Sequence, residues 1–182
     1  ASSMMVTKRD GSKEPISLDK ITNRVSVLST GLNIDPIVVV QKAVPGLYSD
    51  ISSVEIDTYL AETAAALTVE HPDYSYLAAR IKVNSLHKET PGFIITTKNL
   101  YDDGLLREDY YKKVMENADA IESVIDYDKD YTFDYFALTT LIRAYLLKFD
   151  NKTIERPQDL WMRVTLTVTG NEFNLDKIKE TY

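Results

Sequence analysis

Hydrophobic residues recur every three to four positions in three stretches of the first half of the chain. This period predicts amphipathic helices that each bury one face. The residues on the three buried faces are Ile21, Val25 and Leu28; Ile56, Leu60, Ala64 and Leu67; and Tyr74, Leu77, Ala78, Ile81 and Ser85. Pro36 favours a further helix near 36–49, because proline suits a first helical turn, and Pro45-Gly46 should kink or shorten it. The pattern therefore predicts four helices before residue 90.

Short polar residues and glycine mark the ends of these helices. Asp19 is suited to cap the N-terminus of the first helix, and Gly31 can end it. Ser52 and Glu55 have the spacing of a capping box, which predicts a helix start at this point. Residues 90–92, Thr-Pro-Gly, should stop the fourth helix and are a candidate domain boundary.

Residues 4–18 are typical of a β-hairpin. The two extended pieces are residues 5–7 and 15–18, and the Asp10-Gly11 dipeptide between them favours a tight turn. Pro15 has no backbone amide to donate, so its strand should be an edge strand or irregular.

The second half of the chain also has a mainly helical pattern. Helices are predicted near 108–124, 134–148 and 158–169, and residues 149–153 should turn between two short extended pieces. The segment 175–182 starts an amphipathic helix that has no capping residue, so we expect further chain after it.

The acidic segment 126–131 resembles the opening of a calcium-binding loop. That loop requires glycine at its sixth position and glutamate at its twelfth, where this chain has Tyr131 and Ala137. We therefore predict no metal here, and interpret the segment as an acidic turn that caps the next helix.

The composition is that of an ordinary globular protein. The chain has 182 residues, of which 44% are hydrophobic and 27% are charged, enough for one domain or for one domain and part of another. The absence of cysteine excludes disulfides, thiolate metal sites and cysteine chemistry within these residues. No apolar run is long enough to span a membrane, and the first residues do not resemble a signal peptide. These features predict a cytoplasmic protein without a membrane partner.

The charge distribution leaves two interpretations open. The net charge of −7 argues against a nucleic-acid partner, since such proteins carry a basic face. Residues 1–24 nevertheless contain five basic and three acidic side chains. This excess indicates either a local anion site or chance scatter.

Several familiar catalytic patterns are missing from the sequence. The six glycines are at least twelve residues apart, which excludes a P-loop and a dinucleotide-binding loop, and there is no Gly-x-Ser-x-Gly elbow. The two histidines, His71 and His87, lack metal-ligand spacing and are predicted to have structural or helix-end roles. We predict no catalytic residue and no metal ligand in this chain.

Several stretches, in the same order along the chain, resemble a known family. The first resembles the start of an ATP-cone, the nucleotide-sensing domain of ribonucleotide reductase large subunits, and the later ones resemble the rest of that domain and the helical region that follows it. They read Val6-Thr7-Lys8-Arg9-Asp10-Gly11, Leu18-Asp19-Lys20-Ile21, His71-Pro72-Asp73-Tyr74, Leu86-His87-Lys88-Glu89-Thr90, Thr132-Phe133-x-Tyr135-Phe136 and Glu155-Arg156-Pro157-Gln158. The resemblance covers nearly the whole chain and is strongest to the class I enzymes.

The resemblance implies a mainly α fold with two parts. Residues 1–90 would form the ATP-cone, a four-helix bundle capped by a small β-hairpin or sheet. Residues 91–182 would be the helical N-terminal part of the catalytic domain, leading into an α/β barrel that this sequence does not contain.

The resemblance also implies a binding site for ATP or dATP. Lys8 and Arg9 would contact phosphate, Lys88 would close the phosphate site, Ser53 would lie at a helix N-terminus facing the ligand, and Asp57 would lie near the sugar. A continuous stretch would surround the base and sugar: Glu14, Pro15, Ile16, Ser17, Leu18, Asp19 and Lys20, the last of these near the phosphates. For the lysines the alternative is simple solvation, and for Ser53 it is a helix cap alone.

The implied function is allosteric regulation of a ribonucleoside-diphosphate reductase. ATP and dATP, with Mg²⁺, would be effectors, and no cofactor for chemistry would bind in this segment. The implied partners are the remainder of the large subunit in a homodimer or higher oligomer, a radical-generating small subunit, and thioredoxin or glutaredoxin. Because the catalytic cysteines are absent, this segment alone would be inactive.

Two alternatives remain beside this interpretation. Pro15 and Pro45 fall inside elements that the family pattern would leave unbroken, so the chain could be a non-catalytic helical interaction module with a degenerate cone. The other alternative is a transcriptional repressor that combines an ATP-cone with a zinc ribbon. The lack of cysteine argues against it, because a zinc ribbon binds its metal through cysteines.

Overall fold

The computed structural model describes residues 4–170 and 173–182. The chain divides into two compact units. Unit 1 contains the residues up to Ser85 together with Thr132–Leu138, and unit 2 contains Leu86–Tyr131 and Thr139–Tyr182. Along the described ranges, no helix has both the length and the apolar content that crossing a membrane requires.

Unit 1 combines a small sheet with helices. Its elements are β1 (Met5–Thr7), β2 (Lys13–Pro15), α1 (Leu18–Leu28), α2 (Pro36–Ala43), β3 (Ile51–Ser52), α3 (Ser53–Ala66) and the larger part of α4 (Asp73–Glu89). The sheet order is β2-β1-β3, with β2 antiparallel and β3 parallel to β1. The predicted arrangement of helices capped by a small sheet is therefore confirmed.

The predicted hairpin is present, but its second strand lies earlier than the sequence indicated. β2 covers Lys13–Pro15 instead of 15–18, because a five-residue loop is closed by the Lys8 amide, which donates to the Ser12 carbonyl at 2.8 Å. Gly11 has a φ of +85° in this loop, a conformation that costs glycine little. β2 is an edge strand, as Pro15 predicted.

The first helix is capped by Ser17 and not by Asp19. Backbone pairing of the Ile16 amide with the Met4 carbonyl at 2.9 Å keeps the chain extended up to Ser17. The Ser17 hydroxyl then accepts from the Lys20 amide at 3.3 Å. Asp19 lies in the first turn, where a negative charge is favourable.

The next two helices follow the predicted signals. α2 ends at Ala43, and a short 3₁₀ turn over Val44–Gly46 replaces the rest of the predicted helix, as Pro45-Gly46 indicated. The Ser52 hydroxyl caps α3 by accepting from the Glu55 amide at 3.1 Å. The Glu55 carboxylate accepts instead from the Tyr48 hydroxyl, so only one half of the predicted capping box forms.

The core of unit 1 is built from the predicted helix faces. Nearly all of these residues are buried, while Leu28 packs partly exposed at the edge of the core. Arg80 closes the end of α1, because its guanidinium donates to the carbonyls of Leu28 and Thr30 at 2.9 Å each.

Unit 2 is also mainly helical. Its elements are α5 (Phe93–Asp102), α6 (Glu108–Glu116), α7 (Ala118–Val124), a 3₁₀ helix over Tyr127–Thr132, the larger part of α8 (Tyr135–Ala144), β4 (Lys148–Phe149), β5 (Lys152–Thr153), α9 (Pro157–Val168) and α10 (Leu175–Thr181). Its core consists of Phe93, Val114, Ile121, Met162, Leu166 and Ile178.

Three features of unit 2 differ from the predictions: an additional helix, a predicted helix that is divided, and a helix that ends earlier. α5 was not predicted, and the predicted helix 108–124 is two helices separated at Asn117, whose side chain bonds back to the Lys113 carbonyl at 2.8 Å. α8 ends at Ala144, because the chain continues into the β4–β5 hairpin. The predicted turn is present, with positive φ angles at Asp150 and Asn151.

The acidic segment 126–131 does not cap the next helix, contrary to the prediction. It forms the 3₁₀ helix, and the cap of α8 is Asp134, which accepts from the Ala137 amide at 2.8 Å. Asp130 is fully buried, where one carboxylate oxygen lies 2.7 Å from His87 Nε2 and the other accepts from the Gln158 amide at 3.0 Å. His87 lies in the last turn of α4, the helix-end role that was predicted for it.

A second buried carboxylate, Asp159, lies at the start of α9. It accepts from the Tyr127 hydroxyl at 2.6 Å and from the Arg156 amide at 2.9 Å. The Tyr127 hydroxyl in turn accepts from the Phe93 amide at 2.9 Å. Burial raises the pKa of Asp159 to about 6, and the hydrogen bond from Tyr127 opposes that rise.

Candidate functional site

The small sheet of unit 1 brings the predicted phosphate-binding residues to the start of a helix. β1 ends at Thr7, so Lys8 and Arg9 follow at its carboxyl end. β3 pairs parallel to β1, with Thr7 opposite Ser52, and continues directly into α3. The loop after β1 therefore lies beside the N-terminus of α3, which carries Ser53.

Arg9 joins α3 to α4 through three polar side chains. Its guanidinium donates to Ser53 Oγ at 3.3 Å and to Ser85 Oγ at 2.9 Å, and it contacts Asp57 Oδ2 at 3.4 Å. Asp57 is only 3% exposed. Three of the predicted site residues, Arg9, Ser53 and Asp57, thus form one cluster.

Arg24 adds a second cation to this cluster. Its Nη2 atom lies 2.6 Å from Asp57 Oδ1, whereas Arg9 contacts the other carboxylate oxygen, Oδ2. The contact is an ion pair without hydrogen-bond geometry, and Oδ1 accepts no hydrogen bond from any residue in the described part of the chain. Oδ1 is therefore a buried oxygen that Arg24 already approaches at 2.6 Å, whereas Oδ2 is the oxygen that Arg9 contacts.

Sequence reasoning assigned no binding role to Arg24 or Ser85. A role for Ser85 could have been inferred from the sequence, because it is a polar residue on a helix face that is otherwise apolar. Arg24 had only a weak signal, because it is one of the five basic side chains in residues 1–24 whose excess indicated either an anion site or chance scatter.

Glu14 pairs with two predicted lysines at the surface. Its carboxylate lies 3.4 Å from Lys8 Nζ and 4.0 Å from Lys20 Nζ. Lys13 pairs with Asp50 at 3.1 Å, with both side chains more than half exposed. Exposed pairs of this kind contribute on the order of 0–1 kcal/mol, so a ligand can replace them at little cost.

The remaining predicted residues of the 14–20 stretch have mixed roles. Ile16 packs against the core of unit 1, and Ser17 caps α1. Pro15, Leu18 and Asp19 are exposed. Ile16 and Ser17 therefore fix the path of the backbone, while the other three face solvent.

Lys88 lies exposed on the last turn of α4. It follows Ser85 by three residues, so the two side chains share one face of this helix. The residues of α4 from Leu86 onward group with unit 2.

No set of three or more His, Asp or Glu side chains in residues 4–170 and 173–182 is placed to hold a metal ion.

Comparison with known protein families gives two matches along the chain. Residues 4–89 match the ATP cone domain, and residues 131–182 match the ribonucleotide reductase all-alpha domain. The chain belongs to the ribonucleotide reductase large-subunit family. The ATP-cone match ends at the last residue of α4, and the all-alpha match includes α8, α9 and α10.

Curated relatives in the reductase family resemble the whole chain. The large chain 2 of ribonucleoside-diphosphate reductase from Saccharomyces cerevisiae is 42% identical over 98% of this chain. The large subunits from Dictyostelium discoideum and Caenorhabditis elegans are 42% and 41% identical over 100% and 99% of it. The chain spans 22–24% of the length of these three relatives.

Proposed function

We propose that this chain is the effector-sensing part of a ribonucleoside-diphosphate reductase large subunit, and that its ATP-cone binds ATP and dATP. The observation that carries the proposal is the cluster of Arg9, Ser53 and Asp57 at the N-terminus of α3. It combines a cation, a helix N-terminus and a buried acceptor, which are the groups that a nucleoside triphosphate requires.

The phosphates would bind between the loop after β1 and the start of α3. The free amides at a helix N-terminus and its positive dipole favour an anion. Arg9 lies there already, and Lys8 and Lys20 would add charge once their exposed pairs with Glu14 open. Lys88 is the third lysine that we propose for the phosphates. Mg²⁺ would accompany the triphosphate, held chiefly by phosphate oxygens.

The sugar would contact Asp57, because its carboxylate oxygens can accept a hydroxyl group and Oδ2 would become available when Arg9 turns to phosphate. ATP and dATP differ by one ribose hydroxyl, so a single acceptor at this point suffices to distinguish them. The base would lie against the 14–20 stretch, where Pro15 and Leu18 offer exposed apolar surface beside polar Glu14, Ser17 and Asp19.

The two effectors must have different consequences for the enzyme. ATP would favour an active arrangement with the radical-generating small subunit, and dATP would favour an inhibited oligomer. This requires the two nucleotides to make different contacts or to order the cone differently, since a ligand shifts an equilibrium only by its differential affinity.

The enzyme as a whole would be an oxidoreductase that makes deoxyribonucleotides for DNA synthesis in the cytoplasm. Residues 1–90 would be the cone, and residues 91–182 would lead into the catalytic barrel. Thioredoxin or glutaredoxin would reduce the complete enzyme. This segment contributes no cysteine, so its own role would be regulatory.

Thermal unfolding with and without ATP and Mg²⁺ tests the proposal. A ligand at about 100 times its Kd stabilises the folded state by about 2.7 kcal/mol, and we expect a corresponding rise in Tm. Lys88→Ala should weaken binding about tenfold, equivalent to about 1.4 kcal/mol, through the loss of a phosphate contact. Lys42→Ala, which removes an exposed lysine of α2, is the matched control and should leave affinity unchanged.

Two results would count against the proposal in different ways. An unchanged affinity in Lys88→Ala would remove Lys88 from the site. A folded chain that gains no stability from ATP or dATP would contradict the proposal and favour a degenerate cone.

A further inference from the structure

We propose that Arg24 is a positioning residue of the effector site, which holds the Asp57 carboxylate when Arg9 leaves it to bind phosphate. The inference rests on the proposed function and extends it to a residue outside the 14–20 stretch. It assigns different tasks to the two arginines that contact Asp57.

The two contacts differ in length and in the oxygen they use. Arg24 lies 2.6 Å from Oδ1, whereas Arg9 lies 3.4 Å from Oδ2 and shares its guanidinium between Ser53 and Ser85. Arg24 therefore provides the closer compensating charge for the carboxylate, and Arg9 is the more weakly held of the two on Asp57.

The local structure also makes Arg9 the easier side chain to move. Arg9 belongs to the exposed loop between β1 and β2, which turns at Gly11. Arg24 lies on α1 between Ile21 and Val25, which are buried in the core of unit 1. Its backbone is thus fixed by core packing, while the loop that carries Arg9 can adjust around a ligand.

The burial of Asp57 makes the second arginine necessary. Removing one partner from a buried ion pair is strongly destabilising, because it leaves a charge without compensation. Asp57 is 3% exposed and its charged partners are Arg9 and Arg24. If Arg9 turns to phosphate, Arg24 is the cation that remains on the carboxylate.

Arg24 also leaves one carboxylate oxygen for the sugar. It holds Oδ1 at 2.6 Å, whereas Oδ2 is the oxygen that Arg9 would leave. A ribose hydroxyl can then donate to Oδ2 while the Arg24 guanidinium holds the carboxylate in place. The preference between ATP and dATP should therefore depend on Arg24 although Arg24 itself touches neither nucleotide.

Equilibrium dialysis of this chain with ATP and with dATP tests the inference in five variants. They are Arg24→Gln, Arg24→Lys, Asp57→Asn, the double variant Arg24→Gln/Asp57→Asn, and the control Arg80→Gln. Circular dichroism and Tm establish that each variant is folded. Arg80 binds backbone carbonyls at the end of α1, so its loss should lower Tm and leave both affinities unchanged.

We expect Arg24→Gln to weaken ATP binding about tenfold or more and to change the ratio of ATP to dATP affinity. Arg24→Lys should restore most of the affinity, since it keeps the charge. The double variant should bind ATP more tightly than Arg24→Gln alone, because no buried carboxylate is left without a partner.

Each contrary result contradicts a specific part of the account, either the role of Arg24 or the nucleotide site itself. Wild-type affinity in Arg24→Gln, or losses in the two single variants that simply add in the double variant, would contradict the role of Arg24 and leave the nucleotide site intact. A folded wild-type chain that binds neither nucleotide would contradict the proposed function, and the role of Arg24 with it.

Discussion

The replacement Asp159→Asn should remove a specific pH dependence from the stability of unit 2. Asp159 is 1% exposed, and its pKa rises to about 6 from a usual value of 3.8. Burial is the main cause, since it disfavours the charged form. The folded state therefore binds this proton more tightly than the unfolded state does.

The magnitude follows from the two pKa values. A raised pKa means that the protonated carboxyl stabilises the folded state, fully so below pH 3.8, and that this stabilisation is lost as the pH rises to about 6. At about 1.4 kcal/mol per unit, the shift corresponds to roughly 3 kcal/mol. The asparagine variant has no titrating group at this position, so its folded state does not lose this stabilisation as the pH rises.

Urea denaturation from pH 4 to pH 7 measures the effect. Trp161, the single tryptophan of the chain, lies on α9 two residues after Asp159, so its fluorescence reports unfolding of unit 2. We expect the difference in unfolding free energy, wild type minus Asp159→Asn, to fall by about 2.5 kcal/mol as the pH rises from 4 to 7, since part of the full shift lies below pH 4. A difference that stays constant or increases with pH would refute the reasoning.

Tyr127→Phe is the companion variant. The Tyr127 hydroxyl lowers the pKa of Asp159 by donating to it, so its removal should raise that pKa further and extend the pH dependence to higher pH. The variant also leaves the Phe93 amide without its acceptor, which should cost about 1–3 kcal/mol at every pH.

Three further predictions concern unit 1, each measured by urea denaturation with circular dichroism. Leu60→Ala should cost about 2–5 kcal/mol, because Leu60 is 2% exposed in the core, whereas Leu60→Met should cost less than about 1.5 kcal/mol. Ser52→Ala should cost about 1 kcal/mol through the loss of the cap on α3, and equal stability would exclude that role. Gly31→Ala should cost about 1–2 kcal/mol from its φ of +82° alone, since an added Cβ meets no atom within 4 Å.

The helices of unit 1 could be predicted because the residues of their buried faces are apolar and recur at helical spacing in the sequence. Leu60 and Leu77 lie on regular apolar faces, and the structure buries both. The end of α2 before Pro45 and the cap at Ser52 followed from local chemistry that acts over a few residues. These are features in which local preference and packing agree.

Features that depend on long-range pairing were missed. α5 has no strong apolar period, because two of its buried positions hold threonines, Thr96 and Thr97. Their hydroxyls can be buried because each donates to a backbone carbonyl. Ser17 replaced Asp19 as the cap because strand pairing at Ile16 decides where the chain can first become helical.

The cluster around Asp57 was predictable only in part. The resemblance pointed to Arg9, Ser53 and Asp57, and the structure brings these three side chains together. The contact of Arg24 with Asp57 joins residues that are 33 positions apart on α1 and α3. No local pattern indicates such a pair, since it depends on how the two helices pack.

Calorimetric titration of this chain with ATP and with dATP, in the presence of Mg²⁺, tests the central claim most directly. Light scattering on the same samples follows oligomer size. We expect saturable, stoichiometric binding of both nucleotides with different affinities, and a change in size with dATP that ATP does not produce. A folded chain that gives no binding heat with either nucleotide and keeps one size throughout would contradict the claim that these residues sense the effector.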